Sequence, residues 1–162
     1  MIRDLRPEDL PAMLEIYNEV IRNTTISLEL DPVTLKDYAA RLTRITQSYP
    51  CRVLEEEGDV LGFAYLDAFN PRAGYRCTAD LTIYLAEGAR GRGLGGTLYE
   101  ALEKECSALG IRNLVAIVTG ENQRSLRFHE KMGFAVAARF PEVAEKFGRR
   151  IGVVYMIKRL GE

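Results

Sequence analysis

The sequence predicts a single α/β domain over residues 1–162, with a mixed sheet that contains one parallel crossover. A chain of 162 residues fits one domain and is long enough to bury a substantial core. Strand-like segments come before the helices, and the second half then follows the order strand, helix, strand, helix, strand, strand. A glycine-rich loop separates the first strand of that second half from the helix after it.

Hydrophobic spacing and turn residues define the elements of the first half. Apolar positions from Leu10 to Ile21 recur with helical spacing after Pro7, a residue that a first helical turn tolerates. Pro32 opens a second helix, and Gly58-Asp59 supplies a tight turn between two strand-like runs. The predicted elements are a strand at 1–5, a helix over about 10–21, an exposed connection at 22–32, a helix at about 33–48, hairpin strands at 51–57 and 60–69, and a loop at 70–76.

The elements of the second half are bounded in the same way. Apolar residues from Leu94 to Leu109 occupy one face of a helix that stops at Gly110. Asn122 is a good N-cap for a short helix that Gly133 closes. The predicted strands of this half are 77–85, 113–119, 134–140 and 150–158.

Composition limits the classes of function. A hydrophobic content of 47% with 28% charged residues is typical of a soluble globular protein, and a net charge of −1 gives no general attraction to nucleic acid or to anionic membranes. No apolar run approaches the ~20 residues of a membrane span, and the N-terminus is no signal peptide. The three cysteines, Cys51, Cys77 and Cys106, form no CxxC pair, which favours reduced thiols in a cytoplasm. One histidine and no cysteine cluster predict no metal site.

The loop Glu87–Gly96 reads EGARGRGLGG and points to an anion. A loop that passes from a strand into a helix presents free amides at the positive end of the helix dipole. Glycines let those amides approach an anion closely, because no Cβ intervenes. Arg90 and Arg92 add positive charge that suits phosphate oxygens.

Two named phosphate loops compete for this segment. A Walker loop requires a lysine before Ser or Thr, and here Thr97 follows Gly96 directly. The triplet Gly91, Gly93 and Gly96 matches the dinucleotide pattern GxGxxG, and Glu121 follows the next strand roughly where an acidic ribose contact would lie. The loop comes after several strands, with little chain left for a second nucleotide-binding half, which disfavours the dinucleotide hypothesis.

The sequence also resembles a known family. Arg90-x-x-Gly93-x-Gly95 resembles the [QR]xxGxG pyrophosphate loop of the GNAT superfamily of acetyl-CoA-dependent N-acetyltransferases, and ENQRSLRFHEKMGF (121–134) is similar to its second signature. LEIYNEVIRNTT, AGYRCTADLTIYL and EKFGRR are similar to the phosphinothricin and methionine sulfone (sulfoximine) acetyltransferase branch. The resemblance covers almost the whole chain.

This resemblance implies a fold and a cofactor site. The fold is a central, mostly antiparallel mixed sheet of about seven strands flanked by helices, with a parallel pair that splays at the cofactor site. Residues 83–85 would offer main-chain groups to the pantetheine arm of acetyl-CoA, one amide serving as donor to a developing oxyanion. Asn122 would contact the cofactor near the thiol. The implied cofactor residues are Ile83, Tyr84, Leu85, Arg90, Gly91, Arg92, Gly93, Leu94, Gly95, Gly96, Asn122 and Ser125.

Two residues are candidate catalysts. Asp80 interrupts an otherwise apolar strand beside the expected thioester, where related enzymes usually carry glutamate, and it would act as the base for the amine. His129 is the only histidine, at the position where this branch carries histidine. Base, acid for the thiolate and substrate contact all stay open for it. No serine or cysteine constellation calls for a covalent intermediate, so direct attack in a ternary complex is expected.

The expected acceptor is a small amine with an anionic group. Arg76 and Tyr75 precede the catalytic strand, and Arg76, with Arg72 as a weaker second, would grip a carboxylate. Glu29 is a further candidate for the cavity wall. Arg150 and Gly152 replace an aromatic and acidic pair of the branch, which leaves the acceptor's identity open.

The resulting hypothesis is an acetyltransferase for the α-amine of an amino acid or analogue of the methionine sulfone, methionine sulfoximine or phosphinothricin type. The alternatives are acetylation of a protein N-terminus, a lysine or a polyamine, or a non-catalytic acyl-CoA- or dinucleotide-binding module. The resemblance also implies a homodimer.

Overall fold

The computed structural model describes residues 1–161. One sheet of seven strands carries four α-helices, with short 3₁₀ turns between some of them. The strands are β1 (Ile2–Asp4), β2 (Cys51–Glu56), β3 (Asp59–Ala68), β4 (Thr78–Leu85), β5 (Asn113–Thr119), β6 (Ala135–Lys146) and β7 (Arg149–Arg159). The helices are α1 (Leu10–Asn23), α2 (Leu35–Thr46), α3 (Leu94–Cys106) and α4 (Gln123–Lys131).

The strand order is β1-β2-β3-β4-β5-β7-β6, and only the β4–β5 pair is parallel. The predicted mixed sheet with one parallel crossover is therefore confirmed, and α3 forms the crossover between β4 and β5. Every other neighbouring pair is antiparallel.

The parallel pair stops halfway along β4. Pairing runs only from Thr78–Asn113 to Asp80–Val115. Residues 81–85 continue to pair with β3, whereas residues 116–119 continue to pair only with β7. The two central strands therefore diverge after Asp80, and the backbone groups of residues 81–85 on that side have no partner strand.

Each face of the sheet has its own core. Alternate residues of β4 point to opposite faces. Ala79 and Leu81 pack with α3 and α4 in the larger cluster, and Tyr84 packs against α1 and α2 in the smaller one. Asp80 shares the face of Tyr84 because both have even numbers in one strand. On this second face the outer part of the sheet carries no helix and leaves Ile117, Phe140 and Ile157 exposed, at 48%, 43% and 37%.

The structure differs from the sequence prediction in the length of β6 and in the burial of the connection 22–32. β6 continues past Pro141 to Lys146 instead of ending at residue 140, because it is an edge strand with an irregularity between Phe140 and Ala144, where proline costs no sheet hydrogen bond. The connection 22–32 is not wholly exposed, since Ser27 is buried. Within residues 1–161, no helix combines the length and the apolar content needed to cross a bilayer.

Gly62 lets the end of β4 lie close to β3. A Cβ at this position would lie 2.5 Å from Leu85 Cδ2 and 2.8 Å from the Tyr84 carbonyl oxygen. We expect Gly62→Ala to lower the free energy of unfolding by about 1–3 kcal/mol, as overpacking does, in a urea titration. Gly74→Ala is the control, because a Cβ there meets nothing within 4 Å. Equal stability of the two variants would contradict the close approach.

Candidate active site

The glycine loop opens the N-terminus of α3. Gly91 and Gly93 have φ angles of +80° and +78°, which residues with a side chain rarely adopt. Gly93 is the N-cap of α3 and supplies no side-chain cap. The first amides of α3 thus remain free at the positive end of the helix dipole, which suits an anion.

A cavity of about 330 Å³ lies between this loop, β4 and α4. Eleven of the twelve residues predicted to bind the cofactor line it, and Arg92 is the exception. His129 also lines the cavity, whereas Asp80 does not. The sequence analysis missed Val20, Ile26, Arg124 and Phe128, which complete the lining.

The arginines around the cavity differ in what neutralises them. Arg90 donates to Glu19 at 3.1 Å and to the Leu85 carbonyl at 3.3 Å, so its charge is partly engaged. On the surface, the Nη2 atom of Arg92 donates to both carboxylate oxygens of Glu56, at 2.8 and 3.1 Å. Arg124 lines the cavity beside Gly91, and a Cβ on Gly91 would lie 3.3 Å from its guanidinium. Arg124 lies within the second motif (121–134), and the sequence pattern gave no sign that it would meet the loop.

Two buried polar atoms on the central strands have no hydrogen-bond partner. Asp80 Oδ1 on β4 and Thr119 Oγ1 at the end of β5 are both buried, and neither atom takes part in a hydrogen bond. Register places Asp80 beside Val115, so Thr119 shares the same sheet face by alternation. Buried polar atoms are nearly always satisfied in a folded protein. Their lack of partners therefore indicates a place where a polar ligand completes the site.

Asp80 is tuned to accept a proton near neutral pH. Burial raises the pKa of its carboxyl to about 7, and the negative charge of Asp67 adds to the shift. A base with a pKa near the working pH combines a useful ionised fraction with useful basicity. Asp80 is thus ionised above pH 7 and protonated below it.

His129 is held as a neutral imidazole. Burial lowers its pKa, and its side chain is 7% exposed. Nδ1 lies 2.7 Å from the Ser125 carbonyl oxygen, which can only accept, so Nδ1 carries the proton. The rings of Phe128 and Phe134 meet the imidazole edge-to-face at 5.1 and 5.2 Å. Nε2 is therefore the nitrogen free to accept a proton.

Asn122 both caps α4 and borders the cavity. Its side-chain oxygen accepts from the Ser125 amide at 3.2 Å, while its side chain lines the cavity. The capping bond uses the oxygen and leaves the amide NH₂ as a donor.

The segment 24–30 is tied across the open end of the sheet. Lys146, 3% exposed, donates to the Ser27 carbonyl at 2.7 Å. Glu29 accepts from the Tyr17 hydroxyl and pairs with Arg41 at 2.9 Å. These contacts position Ile26, which lines the cavity beside the glycine loop.

The predicted acceptor arginines lie in a second cavity. Arg72 and Arg76 line a polar cavity of about 500 Å³ together with Arg44 and Asp67. Tyr75, 43% exposed, packs against Phe69 and does not line it. The structure thus brings Arg72 and Arg76 to Asp67 and not into the cavity beside the glycine loop.

The segment EKFGRR (145–150) contains the hairpin turn between β6 and β7. Phe147 and Gly148 both have positive φ angles between β6 and β7. Gly152 passes close to the edge strand, because a Cβ there would lie 3.2 Å from the Phe140 carbonyl oxygen. Arg150 is exposed and lies 3.9 Å from Glu142 and Glu145. Backbone crowding thus accounts for the glycine at position 152.

Comparisons with known proteins agree with this geometry. The model of the acetyltransferase (GNAT) family matches residues 11–134. The L-methionine sulfoximine/L-methionine sulfone acetyltransferase of Pseudomonas aeruginosa is 36% identical over 157 residues, which cover 96% of this chain and 91% of that protein.

Solved structures share the whole fold. The GNAT-superfamily phosphinothricin acetyltransferase of Sinorhizobium meliloti, in complex with AcCoA, has a TM-score of 0.96 and 35% identity over 100% of this chain and 89% of that one. The ribosomal-protein-alanine N-acetyltransferase of Brucella melitensis has a TM-score of 0.95 and 34% identity over 99% of both chains. The family model matches most of the chain, and the divergent strands and the glycine loop agree with it. This chain therefore belongs to the acetyltransferase (GNAT) family.

Proposed function

We propose that this protein transfers an acetyl group from acetyl-CoA to the α-amine of a small amino acid or analogue, of the methionine sulfone, methionine sulfoximine or phosphinothricin type. The observation that carries the proposal is the buried, unpartnered carboxylate oxygen of Asp80 where β4 leaves β5. Named relatives with this substrate class support the choice of acceptor.

The cavity residues fit acetyl-CoA. The free amides of α3, Arg90 and Arg124 would hold its pyrophosphate, and the backbone edge of residues 83–85 that faces away from β3 would hold the pantetheine arm. A main-chain amide there serves as donor to the acetyl carbonyl oxygen. When bound, acetyl-CoA supplies the acetyl group as a thioester. No group of three or more His, Cys, Asp or Glu residues within 1–161 is arranged to hold a metal ion.

Asp80 and His129 divide the proton transfers. Asp80 accepts a proton from the acceptor's ammonium, which leaves a neutral amine to attack directly. The new N–C bond forms as the C–S bond breaks, and the nitrogen loses a second proton. His129 accepts that proton on Nε2 and returns it to the sulfur, because His129 lines the cofactor cavity and Asp80 does not. Asp80 gives its proton to solvent, so one proton is released per turnover.

An amino-acid acceptor suits the charges around Asp80. Arg72 and Arg76 stand in the cavity that contains Asp67, the residue opposite Asp80 on β3. An acceptor with its ammonium at Asp80 would direct its carboxylate towards these arginines, which bind carboxylates in a forked geometry. A polyamine has no carboxylate that these arginines could bind.

A protein N-terminus is the second candidate acceptor, favoured by the Brucella melitensis relative. Its ammonium would use the same base, but it carries no carboxylate beside the amine.

A thiol-release assay over a panel of amines tests the function. We expect the highest kcat/KM with amino acids or their sulfone, sulfoximine or phosphinate analogues, and at least ~100-fold less with polyamines and N-terminal peptides, because these leave the arginines unpaired. Preference for a peptide would replace the proposed acceptor class.

The same assay needs variants that separate chemistry from binding. Asp80→Asn should lower kcat by about 10²–10⁴-fold, the size of a general-base contribution, while calorimetry shows unchanged acetyl-CoA affinity. His129→Gln should behave similarly. Variants with full turnover would show that these residues have no role in the mechanism. A wild-type protein that binds acetyl-CoA but acetylates no amine would indicate a non-catalytic binding module.

Arg124 and Arg92 give a matched test of the cofactor site. We expect Arg124→Ala to raise the KM for acetyl-CoA about tenfold, as loss of a charge-assisted hydrogen bond does. Arg92→Ala should change it less than twofold, because Arg92 is paired with Glu56 outside the cavity. The reverse order of effects would restore Arg92 as the phosphate ligand.

We also propose a cytoplasmic homodimer. The three cysteines are free, which suits a reducing compartment. The exposed apolar residues Ile117, Phe140 and Ile157 lie on the bare half of one sheet face and supply a surface for a second copy. Sedimentation equilibrium should give twice the chain mass of 18.2 kDa, and Phe140→Glu should yield monomer. A monomeric wild-type protein at micromolar concentration would refute the dimer.

A further inference from the structure

Asp67 lies directly across the sheet from Asp80. The antiparallel register of β3 and β4 pairs these two residues, so both carboxylates project from the same face. Directly opposed side chains of an antiparallel pair have Cβ atoms about 5 Å apart. Like charges at this separation disfavour each other's ionised form.

On β3, β4 and β5, Asp67 is the charged residue among the register partners and same-face neighbours of Asp80 in the described chain. On β5, its register partner is the apolar Val115. On β3, the next residue on this face is Tyr65, which burial keeps neutral by raising its pKa to about 12. On β4, the neighbours on the same face are Thr78 and Thr82. The negative charge of Asp67 contributes to the raised pKa of the Asp80 carboxyl.

Helix α2 supplies a counter-charge to Asp67. Arg44 donates to both carboxylate oxygens of Asp67, at 3.2 and 3.1 Å. The Ala68 amide also donates to Oδ1 at 2.8 Å. Arg41, one turn earlier, is engaged with Glu29 instead. Arg44 therefore offsets part of the negative charge that Asp80 experiences.

We propose that Asp67 and Arg44 are positioning residues that set the proton affinity of Asp80, Asp67 opposing its ionisation and Arg44 favouring it. The effect on the protonation of Asp80 does not depend on the proposed function. Its consequence for catalysis, the pH at which the base becomes active, does rest on the proposed function. Arg44 and Asp67 are partly exposed, at 61% and 25%, so their variants should fold.

Carboxyl NMR titration of the free protein tests the inference without any substrate. With ¹³C-labelled aspartate and Asp80 assigned through Asp80→Asn, Asp67→Asn should lower the Asp80 midpoint by about one pH unit, because a like charge is removed. Asp59→Asn makes the same chemical change at the far, exposed end of β3 and should leave the midpoint within about 0.2 unit.

Arg44 variants supply the opposite sign. Arg44→Gln should raise the Asp80 midpoint by about half a unit, because Asp67 is then no longer neutralised, and Arg44→Lys should restore most of the wild-type value. A merely structural role would not produce shifts of opposite sign with rescue by lysine. An unchanged midpoint in Asp67→Asn, or a shift in the same direction in both variants, overturns the proposal.

The pH profile of kcat/KM then separates this inference from the proposed function. If Asp80 is the base, the acid limb of the profile moves with the NMR midpoint, and Asp67→Asn gains about fivefold at pH 6. NMR midpoints that move as expected support the tuning whatever the profile does. A profile that stays fixed while they move removes Asp80 as the base.

Discussion

The early end of the β4–β5 pairing is the constraint on which the site depends. Two parallel strands that stayed paired would satisfy each other's backbone and close the sheet. Here pairing ends at Asp80, and β4 and β5 continue with different partners. The divergence leaves free backbone on β4 and opens a cavity beside the glycine loop, and the buried Oδ1 of Asp80 at the last paired position has no hydrogen-bond partner.

The divergence is stable because other elements support both strands. Gly62 lets β3 follow β4 closely to its end, and β7 pairs with all seven residues of β5. Segment 24–30 crosses the open end and is fixed by the buried Lys146. A buried ammonium without a partner would be costly, so its bond to Ser27 couples the hairpin to this segment. The site is thus an opening in a well-paired sheet.

The electrostatic potential at the site depends more on which charged side chains are paired than on how many there are. Arg90 and Arg92 both lie in the glycine-rich loop, yet Glu19 and Glu56 engage them. The free helix amides and Arg124 carry the remaining positive potential at the loop. On the other side of the strands, burial and one neighbouring charge bring the pKa of Asp80 close to 7. The net charge of the whole chain, −1, conveys none of this local variation.

The sequence by itself determined the elements, the glycine loop and the family, because these depend on local spacing and backbone conformation. Gly91 and Gly93 are examples, since positive φ angles are a local requirement. The sequence did not determine that Arg124 faces the loop or that Arg92 faces away from it. It also did not determine that β6 runs to Lys146 or that Asp67 lies opposite Asp80. These are contacts between segments 13 to 36 residues apart or properties of a sheet edge. Only the register and packing of the whole sheet decide them, because a strand's neighbour is chosen by tertiary structure and is not encoded in the strand.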